Sequence, residues 1–176
     1  IGETGLDFVD KNADRDLQMA VFEYHLDLAR QLKRPINIHI RKAWDAFIHL
    51  LKKMGPLPVP GVIHSYSGSA DMVHIFNSYN LYISFSGSIT NPGARKVVQA
   101  FSDTPEQYIV FETDTPDIYP YIDNPDERRL NEPCNLPKIA TIALKRINRT
   151  DIESFCSQIY ENSRILFEPI LKKKDK

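Results

Sequence analysis

Five short apolar runs with strand character alternate with longer stretches that carry apolar residues at helical spacing. The runs lie near Ile1 to Glu3, Ile36 to His39, Gly61 to His64, Leu81 to Ser84 and Tyr108 to Glu112. The interval between successive runs suits βα units, in which a helix joins each strand to a parallel neighbour. The sequence therefore predicts an α/β fold with a parallel sheet.

The longest helical pattern covers Asp14 to Leu32, and Arg34-Pro35 follows it as a stop signal. Its predicted buried stripe consists of Leu17, Val21, Tyr24, Leu28 and Leu32. The last helix is expected after the capping box of Thr150 to Glu153. Its predicted buried stripe consists of Ile152, Phe155, Cys156, Ile159 and Leu166.

Length and composition limit the class of protein. The chain has 176 residues, whereas a complete eight-stranded α/β barrel usually needs about 250. The formal net charge of -1 gives no global basic field for nucleic acid, and we expect no membrane span. Cys134 and Cys156 lack metal-binding spacing and are predicted to be packed thiols rather than a disulfide or a zinc pair, so the expected compartment is the cytoplasm.

Four residues that can bind a divalent metal stand where apolar runs break off: Glu3, His39, His64 and Asp114. Strand alternation places His39 on the face opposite the isoleucines around it, and it places His64 on the same face as Val62. Because the carboxyl ends of parallel strands converge on one face of a barrel, these side chains are predicted to surround one site.

The mixture of ligands suits hydrolysis. Imidazole nitrogens suit Zn²⁺, carboxylate oxygens suit Mg²⁺ or Mn²⁺, and a bridging carboxylate can hold two ions. In this hypothesis Glu3 is the shared ligand, and His39 and His64 hold one ion with it. Asp114 binds the other ion and accepts a proton from water, which makes Asp114 and Glu3 the predicted catalytic residues.

Several segments together resemble the TatD family of metal-dependent deoxyribonucleases. IGETGLDF is similar to the family's GEIGLD signature, INIHIRKAWD to its I-H-x-R strand, GVIHSYSGS to its HxFSG motif, and VFETDTP to its ETDSP motif. YISFSGSIT, LNEPCNLP and IYENSRILF follow in the family's order, so the resemblance covers essentially the whole chain.

The resemblance implies a TIM-like (β/α)8 barrel of the metal-dependent hydrolase type. It also implies that the family's Glu, His, His and Asp ligands fall on Glu3, His39, His64 and Asp114. The family's first strand supplies an HxH pair, and no HxH occurs here. We therefore expect residues 1–176 to form part of such a domain, with strands 4 to 8 and without the N-terminal HxH strand. A natural half-barrel is the alternative.

Other residues are candidates for binding substrate. Arg41 is expected to pair with a substrate phosphate or with a neighbouring acid, and Ser65 is expected to donate to an anion or to form a turn. Asp7 is expected to cap a turn or to orient a ligand. The long loop from Thr115 to Pro137 contains Arg128, Arg129, Asn131 and Glu132, which are candidates for a substrate wall or for a solvated loop.

The resemblance implies a deoxyribonuclease that cleaves DNA phosphodiester bonds with divalent ions, two in the complete protein, with Mg²⁺ favoured over Zn²⁺ or Mn²⁺. DNA is the expected partner, with no membrane and no obligate protein partner. Related barrels hydrolyse other bonds, so an amide or ester hydrolase is an alternative. A non-catalytic barrel that binds nucleic acid or protein is a second alternative.

Overall fold

Five parallel strands form one sheet in the computed structural model, which describes residues 1–122 and 129–171. The strands are β1 (Thr4–Asp7), β2 (Asn37–Arg41), β3 (Gly61–Ile63), β4 (Leu81–Phe85) and β5 (Ile109–Phe111). They are neighbours in chain order, and every pair is parallel. The predicted α/β class with a parallel sheet is confirmed.

Helices connect the strands and follow the last of them. They are α1 (Arg15–Leu32), α2 (Trp44–Met54), α3 (Val73–Ser78), α4 (Arg95–Asp103), α5 (Leu136–Arg146) and α6 (Ile152–Leu171). The α1 helix begins after Asp14, whose side chain accepts a hydrogen bond from the Leu17 amide. Within the described parts of the chain, no helix is long and apolar enough to cross a membrane.

The two faces of the sheet carry different side chains. Ile36, Ile38 and Ile40 are buried in the main core between the sheet and the helices. On the opposite face, Val62, Tyr82 and Val110 form a smaller buried cluster with Leu166 of α6. This alternation confirms the predicted orientation of β2, and it leaves His39 on the face away from the isoleucines.

The first strand differs from the prediction. It runs over Thr4–Asp7 rather than Ile1 to Glu3, because Gly5 pairs with His39 and Asp7 pairs with Arg41 in the parallel ladder with β2. Glu3 therefore lies just before β1 and not at its carboxyl end. The strand ends at Asp7 instead, and Ile1 still accepts a hydrogen bond from the Asn37 amide at 2.8 Å.

The predicted buried stripe of α1 is wrong. Leu17, Val21, Tyr24 and Leu32 are exposed, whereas Phe22, Leu26 and Ala29 are buried. The helix carries two apolar stripes, and the one that contains Phe22 packs against Phe47 of α2 in the main core. The stripe predicted for α6 is partly confirmed: Phe155 and Leu166 are buried, but Ile152 and Cys156 are exposed.

Candidate metal centre

Three candidate ligands meet at one point of the structure. The Glu3 Oε1 atom lies 3.2 Å from His39 Nδ1 and 3.0 Å from His64 Nε2. The same two ring nitrogens are 3.0 Å from each other. These three atoms form a group of possible metal ligands that lie within 4.8 Å of one another.

Parallel pairing of β1, β2 and β3 explains this convergence. His39 belongs to β2, opposite Gly5 of β1, and His64 directly follows β3. The His64 amide donates to the Ile38 carbonyl at 3.0 Å, which continues the ladder between β2 and β3 by one step. The two imidazoles are thus set side by side, with ring centroids 5.2 Å apart.

The donor set fits a divalent cation. Ligand atoms about 2 Å from one tetrahedral ion lie about 3.3 Å from each other. The separations of 3.0 to 3.2 Å among the Glu3, His39 and His64 atoms are close to that value. Two imidazoles and one carboxylate are ligands that Zn²⁺ accepts, and Mn²⁺ and Mg²⁺ also take carboxylate oxygen.

Asp114 lies beside this cluster but outside the group of three. Its Oδ1 atom is 3.9 Å from His64 Nδ1, on the side of the ring away from Glu3. The backbone of Asp114 has φ 59°, so the side chain leaves the chain from a left-handed position after β5. Burial raises the pKa of Asp114, as do Glu112 and Glu3, while His64 opposes the change.

Two further carboxylates contact the outer nitrogens of the imidazoles. Glu112 Oε1 lies 3.4 Å from His64 Nδ1, and Asp7 Oδ2 lies 3.4 Å from His39 Nε2. Asp7 also accepts a hydrogen bond from the Val9 amide at 2.9 Å, so it both forms a turn and contacts a candidate ligand. The hydrogen bond with Glu112 raises the pKa of His64, against the effect of burial.

Sequence reasoning assigned no role to Glu112. The available signal was strand alternation, which gives Glu112 and Asp114 the same inward direction. Its contacts could not be read from that pattern, because they join Glu112 to residues just after β3 and within β4.

A cavity of about 340 Å³ opens beside the two histidines of the cluster. Its lining includes His39, His64 and Asp114 as well as two of the three predicted substrate-binding residues, Arg41 and Ser65. The Arg41 side chain is 62% exposed, and its Nη1 atom is 4.0 Å from Asp7 Oδ2, so the same residue faces both the cavity and an acid. The third predicted substrate-binding residue, Arg129, is not one of the described residues that line this cavity.

Hydroxyl groups form a row along one wall of this cavity. Ser65 Oγ lies 2.8 Å from Ser86 Oγ, which in turn lies 3.1 Å from Ser88 Oγ. Ser86 is fully buried, whereas Ser65 and Ser88 line the cavity. The wall therefore offers hydroxyl groups, with Arg41 as the cation beside them.

The loop after Asp114 is held by Asn131. This side chain is 2% exposed, and its Nδ2 donates to the carbonyls of Thr113 and Ile118. Its Oδ1 accepts from the Glu132 amide at 2.9 Å and from Asn135 Nδ2 at 3.0 Å. Asn131 therefore fixes the backbone around Asp114 rather than forming a substrate wall. Arg128 lies outside the described residues.

We expect Asn131→Ala to lower the free energy of unfolding by about 2 kcal/mol, because it leaves buried donors and acceptors unpaired. Urea denaturation followed by circular dichroism measures the change. The matched control is Asn12→Ala at an exposed position, which we expect to shift stability by less than about 0.5 kcal/mol. Equal stability of the two variants would show that the Asn131 contacts contribute nothing.

The fold and the site together define a class of protein. A parallel α/β sheet that brings imidazole and carboxylate ligands to one point is the arrangement of metal-dependent hydrolases built on α/β barrels. The chain matches the family model described as TatD related DNase over residues 1–168. It belongs to the TatD family of metal-dependent hydrolases.

Curated relatives support this assignment. The chain is 31% identical over 167 residues to the uncharacterized metal-dependent hydrolase YabD of Bacillus subtilis (strain 168), covering 95% of this chain and 64% of YabD. It is 34% identical over 166 residues to a protein of Edwardsiella piscicida named 3'-5' ssDNA/RNA exonuclease TatD, and the match covers 93% of this chain and 63% of that protein. The chain thus spans less than two thirds of the length of these relatives.

A solved structure has the same fold. The crystal structure of YJJV, a TatD homologue from Escherichia coli K12, superposes with a TM-score of 0.86 at 26% identity and covers 95% of this chain and 62% of that one. The family model matches from the first residue of the chain. Two points stay predictions. One is that an N-terminal HxH strand is absent, and the other is that the five strands are numbers 4 to 8 of a barrel.

Proposed function

We propose that the protein is a divalent-metal-dependent nuclease that hydrolyses phosphodiester bonds of DNA. The observation that carries the proposal is the convergence of Glu3, His39 and His64, two of which line a cavity together with Asp114. The name of the Edwardsiella relative, an exonuclease for single-stranded DNA and RNA, supports a nucleic-acid substrate. Mg²⁺ is the ion we favour, and the cytoplasm is the compartment that the two free cysteines favour.

In this proposal each residue has a separate task. Glu3, His39 and His64 hold one ion, and Glu3 and Asp114 take part in holding a second. A divalent ion in such a site makes water a stronger nucleophile and neutralises charge on phosphate oxygens. Arg41 pairs with the substrate phosphate, and Ser65 donates a hydroxyl hydrogen bond to it.

Asp114 is the proposed proton acceptor. Its carboxylate lines the cavity, and burial raises its pKa toward the range in which a carboxylate accepts protons more readily. The loop hydrogen bonds of Asn131 hold the neighbouring backbone in place. We also propose Arg129 as a substrate contact, and the support for it is its place in the sequence of the loop after Asp114.

The test is release of nucleotides from a single-stranded oligodeoxynucleotide with Mg²⁺ or Mn²⁺, compared with a chelator. We expect release that requires the ion, and a loss of about 100-fold in rate for Asp114→Asn, because the amide cannot accept the proton. Asp27→Asn, at an exposed position on α1, is the matched control and should keep the rate of the unchanged protein.

Two results would contradict the proposal. Release that continues in the chelator would remove the role of the metal. Failure to release nucleotides with either ion, together with metal-dependent cleavage of a model amide or carboxylic ester, would replace the nuclease with another hydrolase of the same fold.

A further inference from the structure

Glu112 is a half-buried carboxylate whose two oxygens are both engaged. Its Oε1 atom accepts a hydrogen bond from the Ser65 amide and lies 3.4 Å from His64 Nδ1. Its Oε2 atom accepts a hydrogen bond from Ser84 Oγ at 2.8 Å. Ser65, just after β3, and Ser84, in β4, therefore hold the Glu112 carboxylate in a fixed position behind the His64 ring.

The two nitrogens of His64 have different surroundings. Nδ1 faces Glu112, whereas Nε2 faces Glu3 and His39 at 3.0 Å each. A neutral imidazole carries one proton, and the nitrogen without the proton is the one that binds a metal. A metal ion held by Glu3, His39 and His64 would take the lone pair of Nε2. The proton would then be on Nδ1, where the Glu112 carboxylate can accept a hydrogen bond from it.

We propose that Glu112 is a positioning residue that holds the His64 ring in the orientation of a metal ligand by accepting a hydrogen bond from its Nδ1 atom. The inference rests on the proposed metal site, although Glu112 itself is outside the group of three ligands. Glu112 differs from Asp114, whose nearest oxygen is 3.9 Å from the same nitrogen and which lines the open cavity. Both Glu112 oxygens already accept hydrogen bonds, one from the Ser65 amide and one from Ser84 Oγ.

The chain offers three variants that separate orientation from charge. Glu112→Ala removes every contact of the carboxylate with His64. Glu112→Gln keeps an amide oxygen that can accept a hydrogen bond from Nδ1 but removes the negative charge. Ser84→Ala, the matched control, removes one hydrogen bond to Glu112 and leaves its contact with His64 in place.

The first readout is NMR of the His64 Nδ1 proton in the Zn²⁺-loaded protein. We expect slow exchange of this proton with water in the unchanged protein, in Glu112→Gln and in Ser84→Ala, because a hydrogen bond protects it. In Glu112→Ala we expect fast exchange. Slow exchange in Glu112→Ala would overturn the proposal.

The second readout is the affinity for Zn²⁺ measured by calorimetry. We expect a loss of about 10-fold to 100-fold in Glu112→Ala and a recovery to within about threefold of the unchanged protein in Glu112→Gln. An equal loss in both variants would overturn the proposal, because it would assign the effect to charge or to direct ligation. Unaltered affinity in Glu112→Ala would overturn it as well.

The two readouts separate this proposal from the proposed function. If the unchanged protein binds no Zn²⁺, the metal site fails, and the positioning role that rests on it fails with it. If the protein binds Zn²⁺ and only the Glu112 variants behave unexpectedly, the positioning role alone fails. Circular dichroism of each variant shows whether it is folded.

Discussion

Replacing Gly5 with alanine is expected to lower the free energy of unfolding by about 3 kcal/mol or more. A Cβ atom on Gly5 would lie 1.8 Å from the backbone oxygen of His39 and 2.7 Å from its carbonyl carbon. Neither backbone atom can move without opening the ladder between β1 and β2, in which Gly5 pairs with His39. The substitution should therefore also displace the His39 imidazole from the candidate metal centre.

The measurement is urea denaturation of Gly5→Ala, compared with Gly93→Ala. At Gly93 a new Cβ would lie 3.3 Å from the Asn91 side chain, which can move, so we expect a change below about 1 kcal/mol. Titration with Zn²⁺ measures the second effect. A Gly5→Ala protein with the stability of the Gly93→Ala protein would contradict the packing of β1 against β2.

Glu3→Gln is expected to weaken Zn²⁺ binding by more than about 100-fold, a larger effect than that of a residue that only supports a ligand. The Glu3 carboxylate is the member of the group that contacts both imidazoles, at 3.2 Å and 3.0 Å. Its amide analogue has nearly the same size but no negative charge, so the imidazoles keep their places while the charged ligand is lost. Metal-dependent hydrolysis should fall with the affinity.

Thermal and chemical unfolding with and without Zn²⁺ provide the measurement. At a free ion concentration of 100 times the Kd, the unchanged protein should gain about 2.7 kcal/mol of stability, and Glu3→Gln should gain almost nothing. Glu153→Gln, at an exposed position in the first turn of α6, is the matched control. A full stability gain in Glu3→Gln would remove Glu3 from the metal site.

The strands could be predicted from the sequence because buried strands of a parallel sheet consist of apolar residues with a clear alternation. Ile36, Ile38 and Ile40 share one face of β2, and that pattern alone determines the direction of His39. The start of β1 could not be predicted in the same way. Its limits depend on pairing with Asn37–Arg41 of β2, and that pairing exists only in three dimensions.

The buried face of α1 shows a second limit of sequence patterns. Leu17, Val21 and Tyr24 are separated by three or four residues, but Phe22, Leu26 and Ala29 are separated in the same way. Helical spacing gives no means of choosing between two such stripes. The choice depends on contact with Phe47 of α2 and with the sheet, which the sequence does not display.

The candidate ligands were easier to find than the residues that support them. His39 and His64 stand out because each interrupts an apolar strand pattern, whereas Glu112 has the appearance of an ordinary acid after a strand. Its partners are His64 and Ser65, directly after β3, and Ser84 in β4, and these segments meet Glu112 only after folding. Long-range polar contacts of this kind leave no periodic signal in the sequence.

The backbone at Asp114 restricts which replacements can be interpreted. A φ of 59° suits glycine, asparagine and aspartate, and it strains alanine and β-branched residues. An alanine there would alter the path of the loop in addition to removing the carboxylate, so lost activity would have two causes. A relative with asparagine at this position would keep the path of the loop and lose the proton acceptor. We expect such a homologue to fold and to bind substrate without cleaving it.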